Sequence, residues 1–426
     1  MIAALARLAR ADPGETRVSL WSFACFFCLL CGYYVLRPLR DEMGIQSGVE
    51  NLPVLFSATF VTMLAVVPFF GLAASRLPRR RLVPWTYLFF VANVLVFHAL
   101  FAEGIAPAAV ARTFFVWVSV FNLFVVSLFW SLMADLFRPE QAARLFGFIS
   151  AGGTCGALAG PSLTTLLAAP LGTANLLLVS AAFLGLALAC IEALVRGPVT
   201  GANAEARTNA PGQSDAIGGT TWSGLTVIAG SPYLMGIVLY VLLYTVLLGF
   251  AYLELARLVS DTYHDPAQRT ALFAQVDLAV NGLTLLGQLF LVSRLVERLG
   301  VGAALALLPA LGVAGFIAIG LAPVLAVLVV FQVLRRAADY AIARPGREML
   351  FTVLAREAKY KSKSFIDTVV FRGGDAASGW VYAALKSLGL SMAGLAALAI
   401  PGAMLWLALG LWLGRQHTRL RPERKL

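Results

Sequence analysis

Apolar residues run in twelve stretches, each close to the length of a bilayer crossing, separated by short polar breaks. They cover roughly 18–36, 52–74, 82–102, 110–134, 145–168, 172–195, 231–255, 270–292, 301–321, 323–343, 364–387 and 390–413. A helix needs about 20 apolar residues to cross the hydrocarbon core, and a chain inside lipid must satisfy its backbone amides within itself. The pattern predicts an all-α membrane protein of twelve transmembrane helices. The first apolar run has no small-residue cleavage site behind it and leads into further spans, so no cleavable signal peptide is expected.

The sixth and seventh stretches are separated by RGPVTGANAEARTNAPGQSDAIGGTTW, residues 196–222. Gly, Ala, Thr and Asn in this proportion bury no core, so the segment reads as a flexible linker. The expected organisation is a six-helix bundle over 1–195, the linker 196–222, a second six-helix bundle over 223–413 and a basic tail over 414–426. The halves also echo one another. The first span ends in Gly32 to Arg40 and the seventh in Gly249 to Arg257, with Gly, an aromatic, Leu and Arg at matching offsets. Ser-Arg-Leu follows both the second and the eighth span. Such internal similarity is a mark of duplicated transporters, and the two bundles are expected to be pseudo-symmetric.

Composition narrows the class. The 426 residues are 60% hydrophobic and 13% charged, with a net charge of +11, which excludes a soluble fold and intrinsic disorder. With both termini on the cytoplasmic face, 26 of the 33 Lys and Arg residues fall on that side. The exceptions are Arg37, Arg40, Arg112, Arg257, Arg269 and Lys386, with Arg372 inside a span. The basic surplus thus reports topology in a bacterial inner membrane and asks for no nucleic acid. Three separated histidines and five cysteines in apolar sequence suggest no metal site, no cofactor and no enzymatic triad. Cys25, Cys28 and Cys31 read as a small-residue packing stripe. Gly152, Gly156 and Gly160, in a run without the Lys-Ser/Thr of a phosphate loop, read as close helix packing.

Ionisable groups inside the membrane are costly, so those that remain mark a pathway. Tyr33, Arg37, Arg40 and Asp41 share a helix face at the end of span one, where Pro38 is expected to kink the helix. An interfacial headgroup cluster is the plainer alternative. The repeat places Glu254 at the position of Arg37, a cation in one half and an anion in the other at equivalent depth, an arrangement able to gate or to bind substrate. Asp277, Asn281, Thr284 and Gln288 form one polar stripe on span eight, facing a cavity or a neighbouring helix. Span ten carries Gln332, Arg335, Arg336 and Asp339, with Arg335 and Asp339 spaced for a bridge four residues apart. Span eleven carries Asp367, Arg372 and Asp375 beside a flexible Gly373–Gly374 pair. An arginine surplus facing a cavity suits a carboxylate or phosphate.

Twelve spans, a central linker and the loop Gly71–Arg80 resemble the major facilitator superfamily, with Ser75 where its signature has Asp and Pro78 where it has Gly. A narrower resemblance lies in Arg344–Val370. Pro345, Arg347, Glu348, Met349, Leu354, Lys361, Lys363, Ile366 and Asp367 align with the signature of the nucleotide transporter family of ATP/ADP translocases. Leu36–Asp41, Tyr252–Arg257 and Val126–Phe146 are similar to further segments of that family. The resemblance implies that Arg40 and Glu254 stand where the family has a functional lysine and an intramembrane glutamate, and Asp135 where it has Asn. Asp375 replaces a glycine-flanked lysine, and Asp339 and Arg344 stand where the family has Lys and Asp.

The expectation is a secondary active transporter working by alternating access on an organic anion such as a nucleotide or organic phosphate. Arg37, Arg40, Glu254, Arg335, Arg336, Arg372 and Asn281 would bind substrate, and Asp41, Asp135, Asp277, Asp339, Asp367 and Asp375 would couple or gate. Its partners are membrane lipid and a small anionic solute, and the protein is expected to be a monomer. Two alternatives stand beside it: a proton-coupled carrier of another solute, with Asp277 and Asp375 as proton sites, and a transport-inactive membrane receptor or scaffold.

Overall fold

In a computed structural model the chain is helical throughout the described residues, which are 15–76, 79–196, 223–290 and 292–420. Most of the linker, Arg7, Arg10, the loop positions Leu77 and Pro78, and the last six residues of the basic tail lie outside them. The helices are α1 (Thr16–Gln46), α2 (Leu52–Arg76), α3 (Arg79–Ala102), α4 (Pro107–Leu136), α5 (Pro139–Arg196), the short α6 (Ser223–Ala229), α7 (Pro232–Thr262), α8 (Pro266–Phe290) and α9 (Val292–Leu321). They continue with α10 (Leu325–Ala338), α11 (Arg344–Leu350), α12 (Arg356–Phe365), α13 (Phe371–Ser387) and α14 (Met392–Leu420). Among the described residues nine helices are long and apolar enough to cross a membrane. One of them, α5, is 58 residues long and breaks at Gly172 (φ 77°) into two membrane-length segments. Only glycine takes that backbone conformation without strain.

The spans expected at 323–343 and 364–387 are interrupted helices. Asp339–Ala343 joins α10 to α11 as a π turn, and Ile366–Val370 joins α12 to α13 as another. A π turn bonds each amide five residues back instead of four and often marks a functional position. Pro38 lies inside α1, and the helix runs through it to Gln46, so the expected kink does not end the span there.

The chain forms two compact units. Within the described residues, one holds 15–47, 65–76, 79–196 and 263–278, and the other holds 48–64, 223–262, 279–290 and 292–420. In the first unit α1 lies along α5. A Cβ on Gly152 would stand 2.5 Å from the Phe23 carbonyl oxygen, and one on Gly160 would stand 2.7 Å from that of Cys31. Gly156 meets the Phe27 carbonyl in the same way. The glycine stripe thus brings two backbones together, as small residues do in membrane helix pairs. Cys25, Cys28 and Cys31 are buried in this layer. An aromatic stack of Phe90, Phe97, Phe114, Trp117 and Phe121 fills the space between α3 and α4.

In the second unit α14 packs on α9 and α7 around the fully buried Trp406. The Tyr240 hydroxyl donates to the Leu305 carbonyl (2.8 Å) and that of Tyr233 to the Leu350 carbonyl (2.9 Å). α13 packs on α7 through small residues, with Gly374 against Thr245 and Gly249 against Ser378. The Gly373–Gly374 pair is therefore part of a continuous helix, and at Gly374 it is a close contact in place of the flexible joint expected from sequence.

Candidate functional site

The charged residues of the spans gather in three places, each within one unit. The first lies where the last turns of α1 meet the first turns of α8. Arg37 Nε is 3.6 Å from Asp277 Oδ2, and Asp277 is 2% exposed. Glu42, fully buried, accepts from Nε and Nη2 of Arg269, both at 2.7 Å. Arg40 sits 3.4 Å from Asp41, and its guanidinium lies over the Phe115 ring at 4.0 Å. A planar cation on an aromatic face gains quadrupole attraction as well as Coulomb energy.

The second place is in the other unit, where Lys386 Nζ at the end of α13 is 2.6 Å from Glu254 Oε1 on α7. Arg37 and Glu254, expected at equivalent depth, each have an opposite charge on a different helix. Asn281, one turn beyond Asp277 on α8, is buried. Thr284 is half-buried and Gln288 exposed, so the expected polar stripe runs from buried to open along the helix.

The third place surrounds the two π turns. Asp339 is 5% exposed, and its Oδ2 accepts from Arg344 Nε at 3.0 Å and from the Tyr244 hydroxyl at 3.1 Å. The bridge expected between Arg335 and Asp339 is not formed. The π turn beginning at Asp339 makes neighbours of residues five apart, and the carboxylate goes to Arg344. Arg335, 8% exposed, donates instead from Nε to the Gln332 amide oxygen at 2.6 Å. Arg336 is half-buried on the same helix. Across the second π turn Arg347 Nη2 is 3.7 Å from Asp367, and Arg372 Nη1 is 3.5 Å from Asp375. Phe371 lies under both the Arg347 and Arg372 guanidiniums, at 5.7 and 5.8 Å from its ring centroid. Between the π turns, Lys363 reaches Glu348 at 2.5 Å and Lys361 reaches Glu357 at 2.6 Å. The Lys361 hydrogen bond, with its charge, holds the Glu357 carboxyl below its ordinary value. Asp135 is exposed in the last turn of α4.

Reasoning from sequence missed Glu42, Arg269 and Tyr244 and left Lys386 without its partner. Arg269 carried one readable signal. It stands in the first turn of α8, where a cation opposes the helix dipole, next to Asp265, whose carboxylate caps the helix by accepting from the Ala267 amide. The carboxylate that binds the Arg269 guanidinium comes instead from Glu42.

The sequence matches the family model described as Major Facilitator Superfamily over residues 22–336. No curated protein sequence matches. Among solved structures it is similar to an auto-inhibited POT family peptide transporter, with TM-score 0.63 and 17% identity over 96% of this chain and 98% of that one. It is also similar to the nucleoside transporter NupG, with TM-score 0.64 and 12% identity over 96% and 99%. A bacterial homologue of the iron transporter ferroportin gives TM-score 0.64 and 12% identity over 93% and 98%. At these identities the structures speak for the fold alone. With the family model covering most of its length, the chain belongs to the major facilitator superfamily and is a multi-pass membrane transporter, not an enzyme.

Proposed function

We propose that this secondary transporter carries a small organic anion, of the nucleotide or organic phosphate class, by alternating access. One observation carries the reading. Arg344, Arg347, Lys363 and Arg372 around the π turns each lie within 4 Å of a carboxylate, whereas the buried Arg335 is hydrogen-bonded to the neutral Gln332. A buried cation held by a neutral amide is costly unless an anion joins it. Within the same unit Arg336 and Arg372 would extend the positive field, with Asn281 and Glu254 as further substrate contacts, and Arg37 and Arg40 would act on the same class of anion within the first unit. Asp41, Asp277 and Asp375 would hold Arg40, Arg37 and Arg372 when substrate is absent, while Asp339 and Asp367 hold Arg344 and Arg347. The segment Arg344–Val370, similar to the ATP/ADP translocase signature, supports the phosphate-bearing class.

The test is exchange of labelled nucleotides and organic phosphates by proteoliposomes. Uptake driven by unlabelled anion inside, lost in Arg335→Gln, is the expected result. Equal exchange by the variant would remove Arg335 from the site. Failure of every organic anion tried would end the reading.

A second reading rests on the burial of Asp277 at 2% exposure beside Arg37. In a proton-coupled carrier of another solute, Asp277 and Asp375 would serve as the proton sites. Under that reading uptake collapses when the proton gradient is dissipated, and Asp277→Asn makes the residual flux indifferent to the gradient.

A further inference from the structure

Gln332 and Arg335 lie three residues apart on α10, on one helical face, and both are buried. The amide oxygen of Gln332 accepts from Arg335 Nε at 2.6 Å. That bond engages the guanidinium through its inner nitrogen and leaves the donors of its two terminal nitrogens for other groups. It also commits the amide oxygen, so the Gln332 Nε2 group is left as a donor. Gln332 is 1% exposed, and Nε2 is buried with no hydrogen-bond partner. A buried donor without an acceptor is destabilising, and a native fold keeps one where something else supplies the acceptor. A glutamate at 332 would accept the same bond from Nε, but it would cancel the arginine's charge and present no donor.

We propose that Gln332 is the residue that sets charge selectivity at an oxyanion site centred on Arg335. The neutral amide aims the guanidinium without neutralising it, and Nε2 supplies a second donor to an oxygen of the bound carboxylate or phosphate. This rests on the anion-transport reading and adds to it which residue keeps the site cationic. Gln332 touches the ligand through one donor and positions Arg335 through its oxygen, so its replacement shifts selectivity as well as affinity.

The experiment measures binding to the purified full-length protein in neutral detergent by thermal shift and titration. The probes are phenyl phosphate, benzoate and benzylamine, with phosphatidylglycerol micelles as a separate arm for a lipid headgroup. The wild type is expected to bind phenyl phosphate and benzoate and to ignore benzylamine. Gln332→Glu should weaken the oxyanions by roughly tenfold or more, the size of losing a charge-assisted bond, and should narrow or reverse the preference over benzylamine. Gln332→Leu, which removes both amide groups without adding charge, should bind oxyanions more weakly but keep the preference for them. This second variant separates charge from packing, and the ligand-free melting temperature of each variant reports folding. Binding of phosphatidylglycerol alone would assign the oxyanion to lipid and overturn a soluble solute as its source. Wild-type binding of oxyanions with Gln332→Glu equal within twofold overturns the selectivity role while leaving the transport reading in place. No oxyanion binding by the wild type overturns both.

Discussion

Glu42 and Arg269, 227 residues apart in sequence, form a two-pronged ion pair with both contacts at 2.7 Å and the carboxylate fully buried. Removing one member of such a pair leaves an uncompensated buried charge, whereas removing both relieves the desolvation cost together. Glu42→Gln or Arg269→Met alone is therefore expected to cost about 3–5 kcal/mol of stability. Glu42→Met with Arg269→Met should recover most of the loss, as read from thermal unfolding in detergent. Additive losses in the double variant would count against a coupled pair.

Asp339 and Arg344 lend themselves to charge exchange. The residues meet at 3.0 Å, so each charge has its partner whichever of the two positions carries it. Asp339→Asn is expected to cost about 1–3 kcal/mol, since it strands a buried hydrogen-bonded group. Asp339→Arg with Arg344→Asp should restore stability and keep anion exchange within a few-fold of the wild type. A swapped protein no better than either single variant would show that the Tyr244 bond to Asp339, and not the ion pair, matters more.

The glycine stripe on α5 gives a packing prediction with an internal control. Gly156→Ala forces a methyl group into the Phe27 carbonyl, where backbone must move, while a Cβ on Gly185 meets nothing within 4 Å. Gly156→Ala is expected to lower stability by about 1–3 kcal/mol, the range for an overpacked interior. Gly185→Ala should be neutral or slightly stabilising. Melting temperatures of the two variants, prepared side by side, check this.

Lys386 and Glu254 separate a structural role from a role in transport. Glu254→Gln and Lys386→Met should each slow anion exchange. If the pair only holds α13 to α7, the double variant should regain much of the rate. If Glu254 takes part in the transport cycle, the double variant stays slow although its stability recovers, and that is the expected outcome. Initial rates in proteoliposomes, set beside unfolding temperatures, distinguish the two.

Much of this fold was readable because a bilayer enforces it. Runs such as Leu82–Ala102 and Gly300–Leu321 have no alternative in lipid to a helix, and the four-residue spacing of Gly152, Gly156 and Gly160 named its own packing role. The charged residues of α1, α8, α10 and α13 were also identifiable, because charge in an apolar run is conspicuous. Their partners were not. Arg269 and Glu42 meet across 227 residues, and Lys386 meets Glu254 across a helix interface that no spacing rule encodes. The Arg335–Asp339 bridge failed for a local reason. A rule of four holds only while the helix stays α, and nothing in Asp339–Ala343 announces a π turn.

Those two π turns bear on how this chain is lined up with its relatives. A π turn is, in effect, one residue inserted into a helix, and in an α-helix one residue is about 100° of rotation. Past Asp339, and again past Ile366, side chains face a direction that an uninterrupted helix would give to the preceding position. An ungapped alignment to a protein with straight spans there would assign Arg344, Arg347, Arg372 and Asp375 to the wrong faces. A one-residue gap at 339–343 and another at 366–370 would correct it. Deleting a single residue from either segment becomes an experiment on the turn itself: the helix closes to α, while the charges beyond the cut keep their aim.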